Sequence, residues 1–140
     1  MGLVPEWEVN NMAHPHVELL RRADEALAKG DLATYLAGYA DDVVFHMGGD
    51  HKLTGDYRGM EQLKQLLGRF MEVGGEVSIV THAYLADDEH GAVLLRATLK
   101  RDGKTFSSDE AFIYHFRDEK ISEVWYLPVD QPGLDAWFGK

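Results

Sequence analysis

Three side chains in the second half of the chain could together perform acid–base chemistry on a carbonyl compound. Glu110 and Tyr114 lie four residues apart on one predicted strand. Successive residues of a strand point to opposite faces, so these two side chains share a face. A carboxylate on an apolar face has a raised pKa unless a cation pairs with it, and Arg96 on the neighbouring predicted strand is the candidate cation. We predict that Glu110 is a general acid or base and that Arg96 and Tyr114 stabilise an oxyanion. The alternative is an ion pair between Glu110 and Arg96 that only joins the two strands.

The histidines do not extend this predicted site. Alternation directs His46 away from the face shared by Phe45 and Met47, and it directs His115 away from the face of Tyr114. The chain has no cysteine, no pair of histidines spaced along a helix and no glycine-rich phosphate loop that leads from a strand into a helix. The sequence therefore predicts neither a metal site nor a cofactor.

Composition limits the classes of partner. A chain of 140 residues with 45% hydrophobic content is typical of one soluble globular domain. A formal net charge of −10 disfavours nucleic acid and anionic membrane surfaces as partners. No apolar run approaches the roughly 18 residues that span a bilayer, and the first residues do not resemble a secretory signal. We expect a cytoplasmic protein that binds neither nucleic acid nor membranes.

The elements that position the candidate residues follow from the spacing of apolar side chains. Residues 1–13 are predicted to form an irregular arm before a single domain at 14–140. Three helices are expected first, over 15–29, from 31 to about 42 and over 60–73, with a short strand at 43–47 and a glycine-rich loop at 48–59. The apolar period then changes to 2, which predicts antiparallel strands over 76–86, 92–101, 104–117 and 120–130. This order predicts an α+β domain with three N-terminal helices on one face of a mostly antiparallel sheet.

Several short segments, in this order, resemble the nuclear transport factor two-like superfamily and its SnoaL-like branch. They are Lys-Gly-Asp at 29–31, Tyr-Ala-Asp-Asp-Val-Val at 39–44, Gly-Asp-Tyr-Arg-Gly at 55–59 and Phe-Arg-Asp-Glu-Lys-Ile at 116–121, followed by Glu123, Trp125 and Asp130-Gln131. The resemblance covers residues 14–131. It implies a cone-shaped α+β barrel, in which a curved sheet wraps around helices and a pocket opens at one end. The superfamily includes isomerases, cyclases, dehydratases, epoxide hydrolases and members that only bind, so the fold alone does not give the function.

The catalytic positions of these families are only partly matched here. The base of the ketosteroid isomerases falls on Met47, their oxyanion-hole acid on Tyr114 and their oxyanion-hole tyrosine on about Ala23. The limonene-epoxide hydrolases share Arg96 but not the carboxylates that work with it. The resemblance therefore disfavours both of these specific reactions.

A largely apolar pocket is predicted on the inner face, and a small hydrophobic molecule is its expected ligand. Its predicted contacts are Tyr35, Tyr39, Phe45, Met47, Phe112 and Tyr126, the last depending on whether Tyr126 or Leu127 points inward. We predict a cofactor-free isomerase, cyclase, lyase or hydrolase that acts on a small hydrophobic carbonyl compound. The alternative is a non-catalytic module that binds a small hydrophobic ligand or mediates dimerisation.

The outer face of the sheet is predicted to be an interface. Ile113, Trp125 and Leu127 would form an exposed apolar patch there, and large patches of this kind usually mark contact surfaces. We therefore predict a homodimer with two-fold symmetry. The resemblance implies the same, because many of these proteins dimerise through the outer face of the sheet.

Overall fold

The computed structural model describes residues 14–140, and its first helix, α1, begins where the sequence predicts it. Helix α1 spans Pro15–Ala28, and the His14 side chain caps it by accepting a hydrogen bond from the His16 backbone N–H. Helix α2 spans Leu32–Ala37 and is capped by Asp31. It ends before the predicted position near residue 42, because the chain becomes extended at Tyr39. The predicted arm at 1–13 lies outside the described residues.

The remaining elements form one mixed sheet with helices beside it. The strands are β1 (Tyr39–Met47), β2 (Gly55–Arg58), β3 (Glu76–Ala86), β4 (His90–Arg101), β5 (Lys104–Arg117) and β6 (Lys120–Pro128); helix α3 spans Gly59–Gly74 and helix α4 spans Gln131–Phe138. The strand order is β2-β1-β6-β5-β4-β3, and every neighbouring pair is antiparallel except β1 and β6. The predicted α+β class and the mostly antiparallel sheet are confirmed. Among the described residues, no helix is long and apolar enough to cross a membrane.

One face of the sheet, the inner face, packs against helices α1 and α3. On β4 the inward residues Val93 and Leu95 are buried, whereas Leu94 and Arg96 between and beside them are exposed. Helix α1 contributes Leu20 to the same core, and helix α3 contributes Leu63 and Leu66 among others. Strand alternation therefore decides which side chains can reach the space between the helices and the sheet.

A bulge in β6 determines which residues of that strand face inward. Phe116 pairs with Ile121, but the next pair is His115 with Glu123, so Ser122 is the extra residue. The bulge shifts the alternation by one position, and Tyr126 then lies opposite Phe112 and points inward. This settles the register of the last strand, which the sequence left open.

Helix α4 is an element that the sequence did not predict. Asp130 caps it by accepting a hydrogen bond from the Gly133 N–H, and Leu134 and Phe138 are buried in the core. The ring of His51, in the loop after β1, lies 4.9 Å from the Phe138 ring, between centroids. The helix thus fixes the glycine-rich loop and covers the end of the core near β5.

Shortening Leu134 to alanine should destabilise the domain. Leu134 is fully enclosed, so the Leu134→Ala variant should lose about 2–5 kcal/mol of unfolding free energy through lost burial and the cavity that remains. Urea unfolding followed by circular dichroism measures this loss. The control is Met71→Ala, because Met71 on α3 is 78% exposed and should change stability by less than about 0.5 kcal/mol. Equal effects of the two substitutions would show that α4 is not part of the folded core.

Candidate functional site

A small cavity lies between helix α1 and the inner face of the sheet. Its volume is about 50 Å³. Most of its wall is apolar, and its polar side chains are one carboxylate and three tyrosines. The lining residues on α1 are Leu20, Ala23, Asp24 and Leu27; the others are Tyr35, Tyr39, Ile79, Val93, Leu95, Phe112, Tyr114 and Ile121. An apolar wall with a few polar groups is typical of a binding site for a small organic molecule.

The three tyrosines provide neutral hydroxyl groups. The Tyr39 hydroxyl donates to that of Tyr35 at 2.8 Å. Burial raises the pKa of Tyr35 to about 12, and burial likewise raises the pKa of Tyr39 and of Tyr114 well above the ordinary value. All three hydroxyls therefore keep their protons at neutral pH and can donate hydrogen bonds.

The Tyr114 hydroxyl lies at the cavity and makes no hydrogen bond within residues 14–140. In residues 14–140, the only fully enclosed side-chain nitrogen or oxygen atoms that lack a hydrogen-bond partner are the Nε2 atoms of His16 and His51. The Tyr114 hydroxyl is not among those atoms, no hydrogen bond of it is found within that part of the chain, and Tyr114 lines the cavity. It is a hydrogen-bond donor that has no acceptor in residues 14–140, and it lies on an apolar cavity.

Asp24 is the carboxylate of the cavity, and hydroxyl groups hold it in place. Its Oδ2 atom accepts hydrogen bonds from the Tyr84 hydroxyl at 2.5 Å and from Thr81 Oγ1 at 3.0 Å. Burial, with the hydrogen bond to Asp24, raises the pKa of Tyr84 to about 12, so Tyr84 remains a donor. Asp24 forms no ion pair within the described residues.

Sequence reasoning missed Asp24, although a signal for it exists. Asp24 follows Leu20 by four residues and precedes Leu27 by three, so all three lie on one side of α1. A carboxylate on the apolar side of a helix is unusual and indicates a function or a specific partner. The family resemblance instead points to Ala23, the preceding residue, as the position of a tyrosine.

Glu110 points inward, as predicted, but it does not line the cavity. It is 7% exposed, and its Oε2 atom accepts a hydrogen bond from the Tyr126 hydroxyl. Burial raises the pKa of Glu110 to about 7, partly offset by that hydrogen bond. The wall between Glu110 and the cavity includes Leu95, which is paired with Glu110 across the two strands.

The predicted pair of Glu110 with Arg96 is wrong. In the β4–β5 register Leu95 lies opposite Glu110, whereas Arg96 lies opposite Asp109. Arg96 therefore projects from the outer face, where its Nη1 atom is 3.1 Å from Asp109 Oδ1 and both side chains are half exposed. Arg96 thus lies on the face of the sheet opposite the cavity, which does not fit the predicted oxyanion role.

The predicted ligand contacts fall into two groups. Tyr35, Tyr39 and Phe112 line the cavity together with Tyr114. Phe45, Met47 and Tyr126 are buried on the same face of the sheet but are not part of the cavity wall. The structure thus places every predicted contact inside the domain and brings half of them to one space; contact with a ligand stays a prediction.

The histidines predicted to point outward do so. The ring of His46 lies between Asp56, at 2.7 Å from Nδ1, and Glu123, at 2.5 Å from Nε2, and it stacks on Trp125. Burial lowers the pKa of His46, but the hydrogen bonds to the two carboxylates outweigh it and leave the pKa above its ordinary value. In residues 14–140 no three His, Cys, Asp or Glu side chains are arranged to hold a metal ion.

The chain is similar to known proteins over most of its length. The sequence pattern of the SnoaL-like domain family matches residues 20–124, well over half of the chain. The uncharacterized protein Rv0034 of Mycobacterium tuberculosis strain H37Rv is 30% identical over 124 residues, which are 87% of this chain and 95% of that protein.

Solved structures have the same fold. Bal32a, from a soil-derived mobile gene cassette, superposes with a TM-score of 0.84 at 24% identity and covers 92% of this chain and 100% of its own. A protein of unknown function with a cystatin-like fold from Xanthomonas campestris gives a TM-score of 0.82 at 29% identity, over 89% of this chain and 98% of its own. An NTF2-like protein from Burkholderia xenovorans gives a TM-score of 0.74 at 25% identity, over 88% of this chain and 95% of its own. These comparisons confirm the α+β cone of the NTF2-like superfamily that the sequence predicted.

Replacing Glu110 by glutamine should stabilise the domain above neutral pH. The folded pKa of about 7 exceeds the ordinary value of 4.5, so the folded state binds the proton more tightly than the unfolded state. Stability should therefore decrease as pH rises from about 4.5 through 7, by about 3 kcal/mol in total. Glu110→Gln keeps an acceptor for Tyr126 and removes this decrease.

Urea unfolding at pH 4.5, 6 and 8 measures the difference between the two proteins. The difference should be near zero at the lowest pH and largest at pH 8. Glu61→Gln, on an exposed position of α3, is the control and should show no such trend. If wild type and Glu110→Gln have the same pH dependence, Glu110 titrates as an ordinary exposed carboxyl and its burial in the cone is wrong.

Proposed function

We propose that this chain, which belongs to the SnoaL-like domain family, binds a small, largely apolar carbonyl compound and moves a proton on it with its own side chains. The observation that carries the proposal is the cavity, where the Asp24 carboxylate and the Tyr114 hydroxyl, which has no partner in residues 14–140, share one apolar space. Enolate chemistry needs one group that takes a proton from carbon and another that holds the negative charge on oxygen. Asp24 and Tyr114 are of these two types.

Tyr114 is the proposed donor to the carbonyl oxygen. Its hydroxyl has no acceptor in the described chain, and its raised pKa keeps it protonated. Tyr35 supports it, because Tyr39 donates to the Tyr35 oxygen and leaves the Tyr35 proton free to donate into the cavity. A donor fixed in a place without bulk water stabilises a developing oxyanion more strongly than water does.

Asp24 is the proposed base. The hydrogen bonds from Tyr84 and Thr81 both reach its Oδ2 atom and hold the side chain in one orientation. Its Oδ1 atom is then the one that takes a proton from the carbon next to the carbonyl group. The electron pair of the broken C–H bond moves into a new C=C bond, and the carbonyl π electrons move onto the oxygen beside Tyr114. Return of the proton to the same or another carbon completes an exchange or an isomerisation.

The size of the cavity restricts what it can hold. A volume of about 50 Å³ is room for a few water-sized groups, whereas typical ligand pockets measure about 300 Å³ or more. The reacting group of a ligand therefore fits, and the rest of a larger molecule needs further space. Helix α1 and strand β3 bound the cavity through Asp24, Leu27 and Ile79, and Leu27 and Ile79 are partly exposed to solvent. We propose that the ligand enters between these two elements.

Exchange of ketone α-protons with D₂O tests the proposal without knowledge of the natural substrate. We expect the protein to accelerate exchange of the methyl protons of acetophenone, followed by proton NMR. Asp24→Asn should lower the accelerated rate by about 100-fold or more, because it removes the base. Tyr114→Phe should lower it by roughly the same factor, because it removes the donor to the oxyanion.

Two matched variants control for general effects. The Tyr57 hydroxyl donates to the Leu53 carbonyl oxygen away from the cavity, so Tyr57→Phe should keep the exchange rate. Asp109→Asn on the outer face should also keep it. Binding of acetophenone without any acceleration would favour the alternative, a non-catalytic pocket. If the protein neither binds acetophenone nor accelerates the exchange, the proposed function as a whole is contradicted.

We also propose that two copies of the chain associate through the outer face of the sheet. Leu85, Leu94 and Leu127 are between 38% and 50% exposed on that face, beside the half-buried side chains of Ile113 and Trp125. These side chains form a patch, whereas single apolar residues scattered over a surface are ordinary. A patch of this kind is typical of an interface. A second copy fits it because two-fold symmetry places each patch against an identical one.

A charge in this patch should dissociate the dimer. Leu127→Asp should raise the dimer dissociation constant by at least about 100-fold, since an unpaired charge would be buried. Sedimentation velocity over a concentration series measures the constant. Met71→Asp is the control, because Met71 is exposed on α3 away from the sheet. A wild-type chain that stays monomeric at about 100 μM contradicts this association.

A further inference from the structure

The cavity wall formed by Leu95 and Phe112 has polar groups directly behind it. Leu95 lies opposite Glu110 in the β4–β5 pairing. The ring of Phe112 packs edge-on against the ring of Tyr126, with 4.9 Å between the centroids. Glu110 and Tyr126 are hydrogen-bonded to each other and are not part of the cavity wall. Two side chains therefore separate the cavity from a second polar centre on the same face of the sheet.

Glu110 has an oxygen atom that makes no hydrogen bond within the described part of the chain. Oε2 accepts the hydrogen bond from Tyr126, whereas Oε1 has no partner in residues 14–140. Oε1 is also not among the fully enclosed atoms of residues 14–140 that lack a partner. A carboxyl group has room for about four hydrogen bonds, and buried polar atoms in proteins are almost always paired. This atom is free to bind a donor that comes from outside the chain.

We propose that Glu110 and Tyr126 form the far end of the ligand site, and that the ligand is an elongated apolar molecule with a carbonyl group at one end and a hydroxyl at the other. This inference rests on the proposed function, because the carbonyl end occupies the cavity beside Tyr114. The ring of Phe112 turns aside, so that the ligand extends from the cavity to the Glu110–Tyr126 pair. The ligand hydroxyl then reaches Glu110 Oε1.

The environment of Glu110 favours a hydroxyl over a charged group. No cation of the described chain pairs with Glu110, and its neighbours on the inner face are Leu95, Phe112, Tyr126 and, two residues earlier on β5, Ser108. Burying an ammonium group among such side chains costs more than burying a hydroxyl. A hydroxyl can donate to the carboxylate or accept from the protonated acid, so it suits a group whose pKa is raised to about 7.

Three ketones of graded length test the inference by isothermal titration calorimetry on the full chain. The probes are acetophenone, 4-acetylbiphenyl and 4-acetyl-4′-hydroxybiphenyl. The hydroxylated biphenyl should bind wild type at least about 10-fold more tightly than 4-acetylbiphenyl, as expected for a hydrogen bond to a charged or polarised group. Phe112→Ala should strengthen binding of both biphenyls relative to acetophenone, because it removes the partition.

Glu110→Gln should reduce the advantage of the hydroxylated probe to less than about 3-fold, and the double variant Glu110→Leu, Tyr126→Phe should abolish it. The double variant removes both partners together, so it keeps the test valid if the single variant folds poorly. Glu61→Gln on the exposed side of α3 should leave the advantage unchanged.

The outcomes separate the two proposals. An advantage below twofold in wild type, or one that Glu110→Gln leaves intact, overturns the far-end site. If acetophenone nevertheless binds in a manner that Tyr114→Phe weakens, the proposed function survives alone. If none of the three ketones binds, both proposals fail.

Discussion

Among the described residues, hydroxyl groups and not cations are the hydrogen-bond partners of the two carboxyl groups that enter the space between helix α1 and the sheet. Asp24 accepts hydrogen bonds from Tyr84 and Thr81, and Glu110 accepts one from Tyr126. A hydroxyl partner orients a carboxyl group without neutralising it, so the group retains its ability to exchange a proton. A guanidinium in the same place would fix the negative charge and make a static ion pair. The chemistry proposed for this domain depends on that difference.

The register of strands β4 and β5 decides which side chains lie opposite Glu110. Between β4 and β5 the connection has two residues, Asp102 and Gly103, and both have positive φ angles, 52° and 75°. A two-residue hairpin fixes the register of its strands. Counting back from Arg101 opposite Lys104 places Leu95, and not Arg96, opposite Glu110. The sequence therefore contained the information needed to avoid the incorrect Arg96 pair, because Asp-Gly is a strong signal for this turn.

The bulge in β6, unlike the turn between β4 and β5, has no local sequence signal. Ile121 is buried, and without an extra residue the alternation would turn Trp125 inward and Tyr126 outward. The insertion of Ser122 reverses this, which places Tyr126 beside Glu110 and leaves Trp125 on the outer face. Spacing along the chain suggested one extra residue, but no local pattern located it. Bulges depend on the pairing of two strands, and a single sequence does not show that pairing.

The fold was more predictable than the site for a physical reason. Apolar spacing defines α1, α3 and the long strands, because burial of one face repeats over many residues. Helix α4 has eight residues and follows a strand directly, so its pattern is too short to stand out. Asp24 is a single polar residue in an apolar stripe, and its partners come from β3, about 60 residues later. Such a cluster exists only after the chain has folded.

A crystal structure of the protein soaked with acetophenone tests directly whether Tyr114 and Asp24 form a carbonyl site. We expect the ketone in the cavity, its oxygen about 2.7 Å from the Tyr114 hydroxyl and its methyl carbon facing Asp24. A ketone bound elsewhere would contradict this interpretation. The same holds for a cavity that remains closed, with the Tyr114 hydroxyl bonded to another protein group.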